Sequence, residues 1–188
     1  MKKLTDKEKI DSVLKGNVND YTLIIDRYKH KAFSLLVNML KNKMDAEEAL
    51  QDAFIKAFNS LNNFRSEAQF STWFYKITYN TGLTILSAQK RKIEMQMNSI
   101  DDMEYLKDED AEVYALSENK KQYLLKMVDK LPIRNSLVLI LYYMDNFSIN
   151  EISEVMDLSL VNTKVLLHRS RNLLKDLLLL HNYKEEIL

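Results

Sequence analysis

Five polar side chains, Asp45, Glu47, Glu48, Gln51 and Asp52, fall within eight consecutive residues that also carry an apolar stripe. Acids gathered on one helix face do no chemistry alone. They can complement a basic surface, which sets orientation and association rate more than affinity. An aromatic segment follows directly: Phe64, Phe70 and Trp73, interleaved with Asn62, Asn63, Arg65, Ser66 and Gln69 and followed by Lys76 and Asn80. Aromatic faces can stack on unpaired bases, at about 1–3 kcal/mol per base, and neighbouring polar groups can pair with the edge of an extruded base. Trp73 also has core-facing periodicity, so an indole there can brace the loop from behind while Phe64 and Phe70 shape a pocket. Near the C-terminus, Lys164, Val165, His168, Arg169 and Asn172 form a third group. Cations reach guanine or phosphate, an amide reaches adenine, and an aliphatic group meets the thymine methyl.

Other chemistries lack their parts. Three scattered histidines (His30, His168, His181) and no cysteine make no metal site. Neither a glycine-rich phosphate loop nor a nucleophile with a base at a recognisable spacing is present. Asp101-Asp102 falls in a linker-like stretch, a poor place for a positioned general acid. The residues therefore predict no catalytic site and no cofactor, and a protein that is not an enzyme.

The elements that must position these groups read as helices. Thr5-x-x-Glu8 is a capping box for a helix ending near Leu14, where Gly16-Asn17 breaks the chain. Asn19 or Asp20 then caps a helix in which Tyr21, Ile24, Ile25, Tyr28, Ala32, Leu35, Leu36 and Met39 keep helical spacing, and Lys41-Asn42-Lys43 closes it. Asp45, with Glu48 three residues on, caps a third helix bearing the stripe Ala46, Ala49, Leu50, Ala53, Phe54, Ala57 and Phe58. A polar loop precedes a fourth helix from about Phe70 to Lys90, with Trp73, Phe74, Ile77 and Leu83 or Leu86 turned inward. After an acidic stretch, Tyr123, Leu124, Met127, Val128 and Leu131 share a face, and Ser136–Met144 is apolar enough for a buried helix. Ser148 caps Ile149–Met156, and Ser159 caps the last helix. At about 100° per residue, Thr163, Leu167, Ser170 and Leu174 share its packing face, opposite Lys164, Val165, His168, Arg169 and Asn172. Two helices joined by a tight turn at Asp157-Leu158, the second rich in cations, propose a helix-turn-helix.

The 188 residues include only two Gly and one Pro, a composition that favours helices. No apolar run is long enough to span a bilayer, so a soluble, cytoplasmic chain is expected. The net charge is zero, but unevenly distributed. Residues 1–87 carry 13 Lys/Arg against 10 Asp/Glu, residues 88–117 carry 4 against 8, and residues 118–188 carry 10 against 9. Two mildly basic ends thus flank an acidic middle. Leu177–Leu180 cannot all face one core; the run is either a frayed helix end or an apolar docking patch.

Two motifs in register, DAEEALQDAF…FNSLNNF…FSTWFYKITYN and LP…FSINEISEVMDLS…NTKVLLHRSRNLL, resemble the sigma-70 family, specifically the small extracytoplasmic-function (ECF) sigma factors of bacterial RNA polymerase. The resemblance covers most of the chain. It implies an all-α fold of two small domains: a sigma-2 helical bundle (1–92) and a sigma-4 helix-turn-helix domain (118–188), joined by an acidic linker (93–117). It also implies promoter-specific initiation, with core RNA polymerase (β′ clamp coiled coil and β flap) and promoter DNA as partners and no small-molecule substrate. An anti-sigma factor is a further candidate partner.

By position, Asp45, Glu47, Glu48, Gln51 and Asp52 match the polymerase-docking surface. Asn63, Phe64, Arg65, Ser66 and Phe70 match the loop that captures an unstacked −10 base, and Trp73, Lys76 and Asn80 the helix beside the melted strand. Ser159, Asn162, Lys164, Val165, His168 and Arg169 match the −35 surface. The chain departs from the family pattern at Thr84 and Ser87, where an Asp and an Arg are common, with Lys90, Arg91 and Lys92 one turn on. It also departs at Val161-Asn162 and Leu166, changes that weaken phosphate anchoring. Two rival readings are a helix-turn-helix regulator acting without polymerase, and a protein that sequesters a partner through acidic and leucine-rich surfaces.

Overall fold

A computed structural model describes residues 4–64, 68–97 and 119–180. All regular structure among them is helical: α1 (Asp6–Leu14), α2 (Tyr21–Leu40), α3 (Lys43–Asn59), α4 (Phe70–Met97), α5 (Asn119–Asp129), α6 (Ile133–Leu139), α7 (Ile149–Met156) and α8 (Leu160–Leu180). Short 3-10 turns precede α2 and follow α3.

The first unit is built on α2, α3 and α4. The alanines of the α3 stripe, Ala46, Ala49, Ala53 and Ala57, are fully buried. Their small side chains let neighbouring helices approach closely, and larger rings fill the space beyond them. Phe74 stacks on Phe54 at 4.6 Å and lies 5.7 Å from Tyr28 and 6.1 Å from Phe70. The Tyr21 hydroxyl donates to the Phe54 carbonyl at 2.7 Å, tying α2 to α3. The Met39 side chain of α2 packs directly over Gly82 of α4, where a Cβ would stand 2.6 Å from Met39 Cε.

Several boundaries differ from the sequence reading. Asn42, not Asp45, caps α3: its Oδ1 accepts from the Met44 and Asp45 amides, so the helix opens three residues early. It can do so because Lys41 takes a left-handed conformation (φ 55°) that ends α2 abruptly. Neither Asn19 nor Asp20 makes a side-chain cap for α2; a 3-10 turn over Val18–Asp20 leads into it instead. Helix α4 continues to Met97, into the stretch expected to begin the linker. The remainder of that linker, including Asp101-Asp102, lies outside the described residues. On α4, Tyr75 and Tyr79 are buried while Leu83 is exposed, and Leu124 of α5 also faces solvent.

The second unit comprises α5–α8. The apolar run at Ser136–Met144 is not a uniform buried helix. After α6 it widens into a π-turn over Ile140–Met144, closed by the Asp145 amide on the Ile140 carbonyl at 3.1 Å. Leu137, Val138, Leu139 and Leu141 are buried, but the wider turn carries Tyr143 and Met144 outward. Ser148 and Glu151 complete a capping box for α7, whose end is set by Asp157 at φ 53°. The two units then pack together through α4 against α7 and α2 against α6, sharing a continuous apolar core.

Candidate functional site

Three surfaces emerge from this scaffold. On α3, Glu47, Glu48, Gln51 and Asp52 are exposed, opposite the buried alanine stripe. Asp45 differs from them. It is half-buried, and its Oδ2 accepts 2.9 Å from Gln89 Nε2 near the far end of α4. Four of the five expected docking residues therefore form an open acidic and amide face, while the fifth fastens α3 to α4.

The second surface is aromatic. The Phe64, Phe70 and Trp73 rings lie 5.3–5.5 Å from one another at the start of α4. Phe70 is buried, whereas Phe64 and Trp73 are half-buried. Trp73 packs against the Phe64 and Phe70 rings while retaining some exposed surface. Asn63 is exposed beside this cluster, and Asn80 is exposed further along α4. Arg65 and Ser66 lie outside the described residues. Lys76 is engaged: its Nζ is 3.4 Å from Asp157 Oδ1, on the turn between α7 and α8. At the departures from the family pattern, Thr84 and Ser87 donate to the Asn80 and Leu83 carbonyls of their own helix. Those hydroxyls are spent on back-bonding within α4.

The third surface is the outward arc of α8. Thr163, Leu167 and Ser170 are buried, while Lys164, Val165, His168, Arg169 and Asn172 are exposed, as the angular reading predicts. Ser159 Oγ accepts from the Asn162 amide at 3.1 Å and so caps the helix. That cap occupies Ser159, whereas the Asn162 side chain faces out. His168 Nε2 lies 3.3 Å from Asn172 Nδ2, bracing two residues of the arc. Leu166 is half-buried against the core, away from the outward residues. Arg171 holds α8 to the π-turn: its Nε donates to the Tyr143 hydroxyl at 2.7 Å, and its guanidinium lies over the Tyr142 ring.

The sequence reading missed the seam between the units. Buried Asn38 on α2 donates to Asp129 Oδ1 and accepts 2.8 Å from Ser136 Oγ. Thr72 Oγ1 donates to Glu151 Oε1 at 3.3 Å. The Tyr75 and Phe147 rings are 4.8 Å apart. Burial raises the Asp145 carboxyl above the ordinary range against the counter-pull of Lys31, which lies 3.4 Å away. Partners 72–114 residues apart leave no periodic trace. The one local hint is Asn38, an amide within an otherwise apolar stripe.

An all-helical scaffold that displays an acidic helix, an aromatic loop and a cation-bearing helix-turn-helix defines a two-unit regulator of the nucleic-acid-binding class. Comparison with known proteins narrows it. Residues 24–92 match Sigma-70 region 2 and residues 121–174 match Sigma-70 region 4. The chain is 33% identical over 182 residues to ECF RNA polymerase sigma factor SigW of Bacillus subtilis, covering 90% of this chain and 94% of that protein. It is 30% identical over 175 residues to the ECF RNA polymerase sigma-E factor of Escherichia coli, covering 89% and 91%. The fold resembles the sigma factor RpoE in complex with the anti-sigma factor NepR from Bartonella quintana (TM-score 0.65, 18% identity, 85% of this chain and 96% of that one). It is equally similar to CnrH in complex with the cytosolic domain of CnrY (TM-score 0.65, 17% identity, 92% and 96%). The chain belongs to the sigma-70 family, as an ECF sigma factor, and its function is that of an alternative sigma factor directing transcription.

Proposed function

We propose that this chain joins core RNA polymerase through the outer face of α3, stabilises the opened −10 strand with the Phe64–Trp73 cluster, Lys76 and Asn80, and reads −35 DNA with the outward arc of α8. The observation that carries this reading is the division of α8 into a buried face at Thr163, Leu167 and Ser170 and an exposed face at Lys164, Val165, His168 and Arg169. Only such a helix can pack on its domain and still enter a major groove. Glu47, Glu48, Gln51 and Asp52 make the polymerase contact, and Asp45 positions their helix through Gln89. Arg65 and Ser66 belong to the same −10 loop by position, with Ser159 and Asn162 at the start of the −35 helix.

Catalysis belongs to the polymerase on this reading, and the working compartment is the cytoplasm. No described helix is long and apolar enough to cross a membrane. The sigma factor RpoE of similar fold is in complex with the anti-sigma factor NepR, and an anti-sigma factor is a candidate partner here too.

The test is reconstitution with core polymerase on genomic DNA, mapping start sites and aligning the sequences upstream. A shared pair of upstream motifs about 25 base pairs apart is expected. Initiation at core-enzyme background, with no common motif, would overturn the proposal.

A further inference from the structure

The outward arc of α8 carries two aliphatic side chains at its leading end. Val161 and Val165, the second and sixth residues of the helix, are 69% and 41% exposed. At about 100° per residue they stand within about 40° of one another, one turn apart on a single line. Lys164 falls about 60° to one side of Val161, and Arg169 about 40° beyond Val165 on the other. Both cations are exposed. A lone exposed aliphatic is ordinary on a protein surface. Two in line between cations, at the N-terminal end of a groove-reading helix, occupy the positions from which such helices reach base edges.

Polar groups on and beside the same arc are already committed. Ser159 Oγ accepts from the Asn162 amide at 3.1 Å, and His168 Nε2 lies 3.3 Å from Asn172 Nδ2. The valines have no such partner to make. A valine side chain neither donates nor accepts, so a guanine, or the amino group of adenine or cytosine, would be desolvated against it without compensation. The apolar feature of the major-groove edge is the C5-methyl group of thymine. Branching at Cβ also holds a helical valine in one strongly preferred rotamer. Its methyls are therefore fixed before contact, and less side-chain freedom is lost on binding than for Lys or Arg. Four residues span about 6 Å along the helix axis, against about 3.4 Å per base-pair step.

We propose that Val161 and Val165 form an aliphatic ridge that reads the C5-methyl groups of two thymines about two base-pair steps apart in the −35 element. The proposal deepens the promoter-specificity reading above and rests on it. At those two steps the preference is carried by methyl contact and not by hydrogen bonds, with Lys164 and Arg169 flanking the ridge. The pair at Val161 and Asn162, a departure from the family pattern that weakens phosphate anchoring, then supplies base selectivity instead.

The test removes the methyl and nothing else. Promoter duplexes carrying the mapped upstream element are made with deoxyuridine in place of each −35 thymine in turn, which leaves every hydrogen-bonding group of the base intact. Binding to the reconstituted polymerase complex is read by competition fluorescence anisotropy. Deoxyuridine at two positions about two steps apart should weaken binding by about two- to fivefold each. Val161→Ala should abolish the difference between thymine and deoxyuridine at one of them, and Val165→Ala at the other. Both residues are exposed, and the melting temperature of each variant is checked against the parent. A −35 element indifferent to every thymine methyl overturns the proposal, as does a deoxyuridine penalty that persists undiminished in the doubly substituted V161A/V165A chain. A polymerase complex that selects no upstream motif refutes the promoter-specificity reading and the proposal with it. An upstream motif bound equally well without its methyls overturns the proposal alone.

Discussion

Ser136 Oγ donates a 2.8 Å hydrogen bond to Asn38 Oδ1, joining α6 to α2 across 98 residues of sequence. Both side chains are buried, and Asn38 spends its amide nitrogen on Asp129. The two units therefore meet through a satisfied polar pair inside an apolar seam. Removing one partner leaves the other desolvated, at about 1–3 kcal/mol. Ser136→Ala should lower the unfolding free energy read from chemical denaturation by that amount, and Asn38→Leu in the same background should recover part of it.

Charge reversal at Glu47 and Asp52 (E47K with D52K) should slow association with core polymerase by about tenfold or more at low salt. Both residues are exposed and remote from the core, so the melting temperature should stay within a degree or two of the parent. Biolayer interferometry against immobilised core enzyme reads the rate. Undiminished association would remove α3 from the docking surface.

Arg169→Ala should weaken binding to the mapped promoter by about 1–3 kcal/mol if its guanidinium reads a base. The loss should shrink on promoters altered at that position. An equal loss on every sequence, with a shallower salt dependence, would assign Arg169 to phosphate instead.

Asp145 makes stability depend on pH in a defined sense. Its side chain is 7% exposed, and burial outweighs Lys31, so its carboxyl sits above the ordinary range in the folded chain. The folded state therefore binds that proton more readily than the unfolded state. The resulting stabilisation is complete below the unfolded carboxyl's range, near pH 4, and is lost as pH rises through the raised value. The neighbouring groups facing it are Lys31 of α2 and the Tyr75 hydroxyl of α4, which burial raises above its ordinary range. Asp145→Asn should flatten this slope in denaturation series run between about pH 4 and 7.

Phe74 is fully buried at the centre of the ring cluster of the first unit. Phe74→Ala should cost about 3–5 kcal/mol and disrupt the aromatic surface with it. Phe74→Leu, which retains most of the volume, should recover the larger part in thermal melts.

Local signals carried the sequence reading far, and long-range ones did not exist to be read. The capping boxes Thr5–Glu8 and Ser148–Glu151 need only a three-residue window, and both form. The faces of α8 follow from a 100° step, and Thr163, Leu167 and Ser170 are buried accordingly. Asp45 looked like a cap because an acid precedes an alanine stripe. Asn42 takes that place because Lys41 adopts a left-handed turn that only the backbone reveals. Lys76 was legible as a candidate strand contact, but its engagement by Asp157 was not, since the two are 81 residues apart. The π-turn after α6 likewise has no composition signature; it shows in the Asp145–Ile140 backbone bond and in the exposure of Tyr143 and Met144.

The bond from Gln89 to Asp45 gives α4 a mechanical role. At 28 residues the helix extends about 42 Å. Its first turn carries Trp73, and a point near its other end is fastened to the helix that displays Glu47 and Asp52. Load applied at the proposed polymerase contact on α3 would thus pass along a stiff beam to the aromatic cluster. Torque generated by the larger machine would reach Trp73 with little lost to bending.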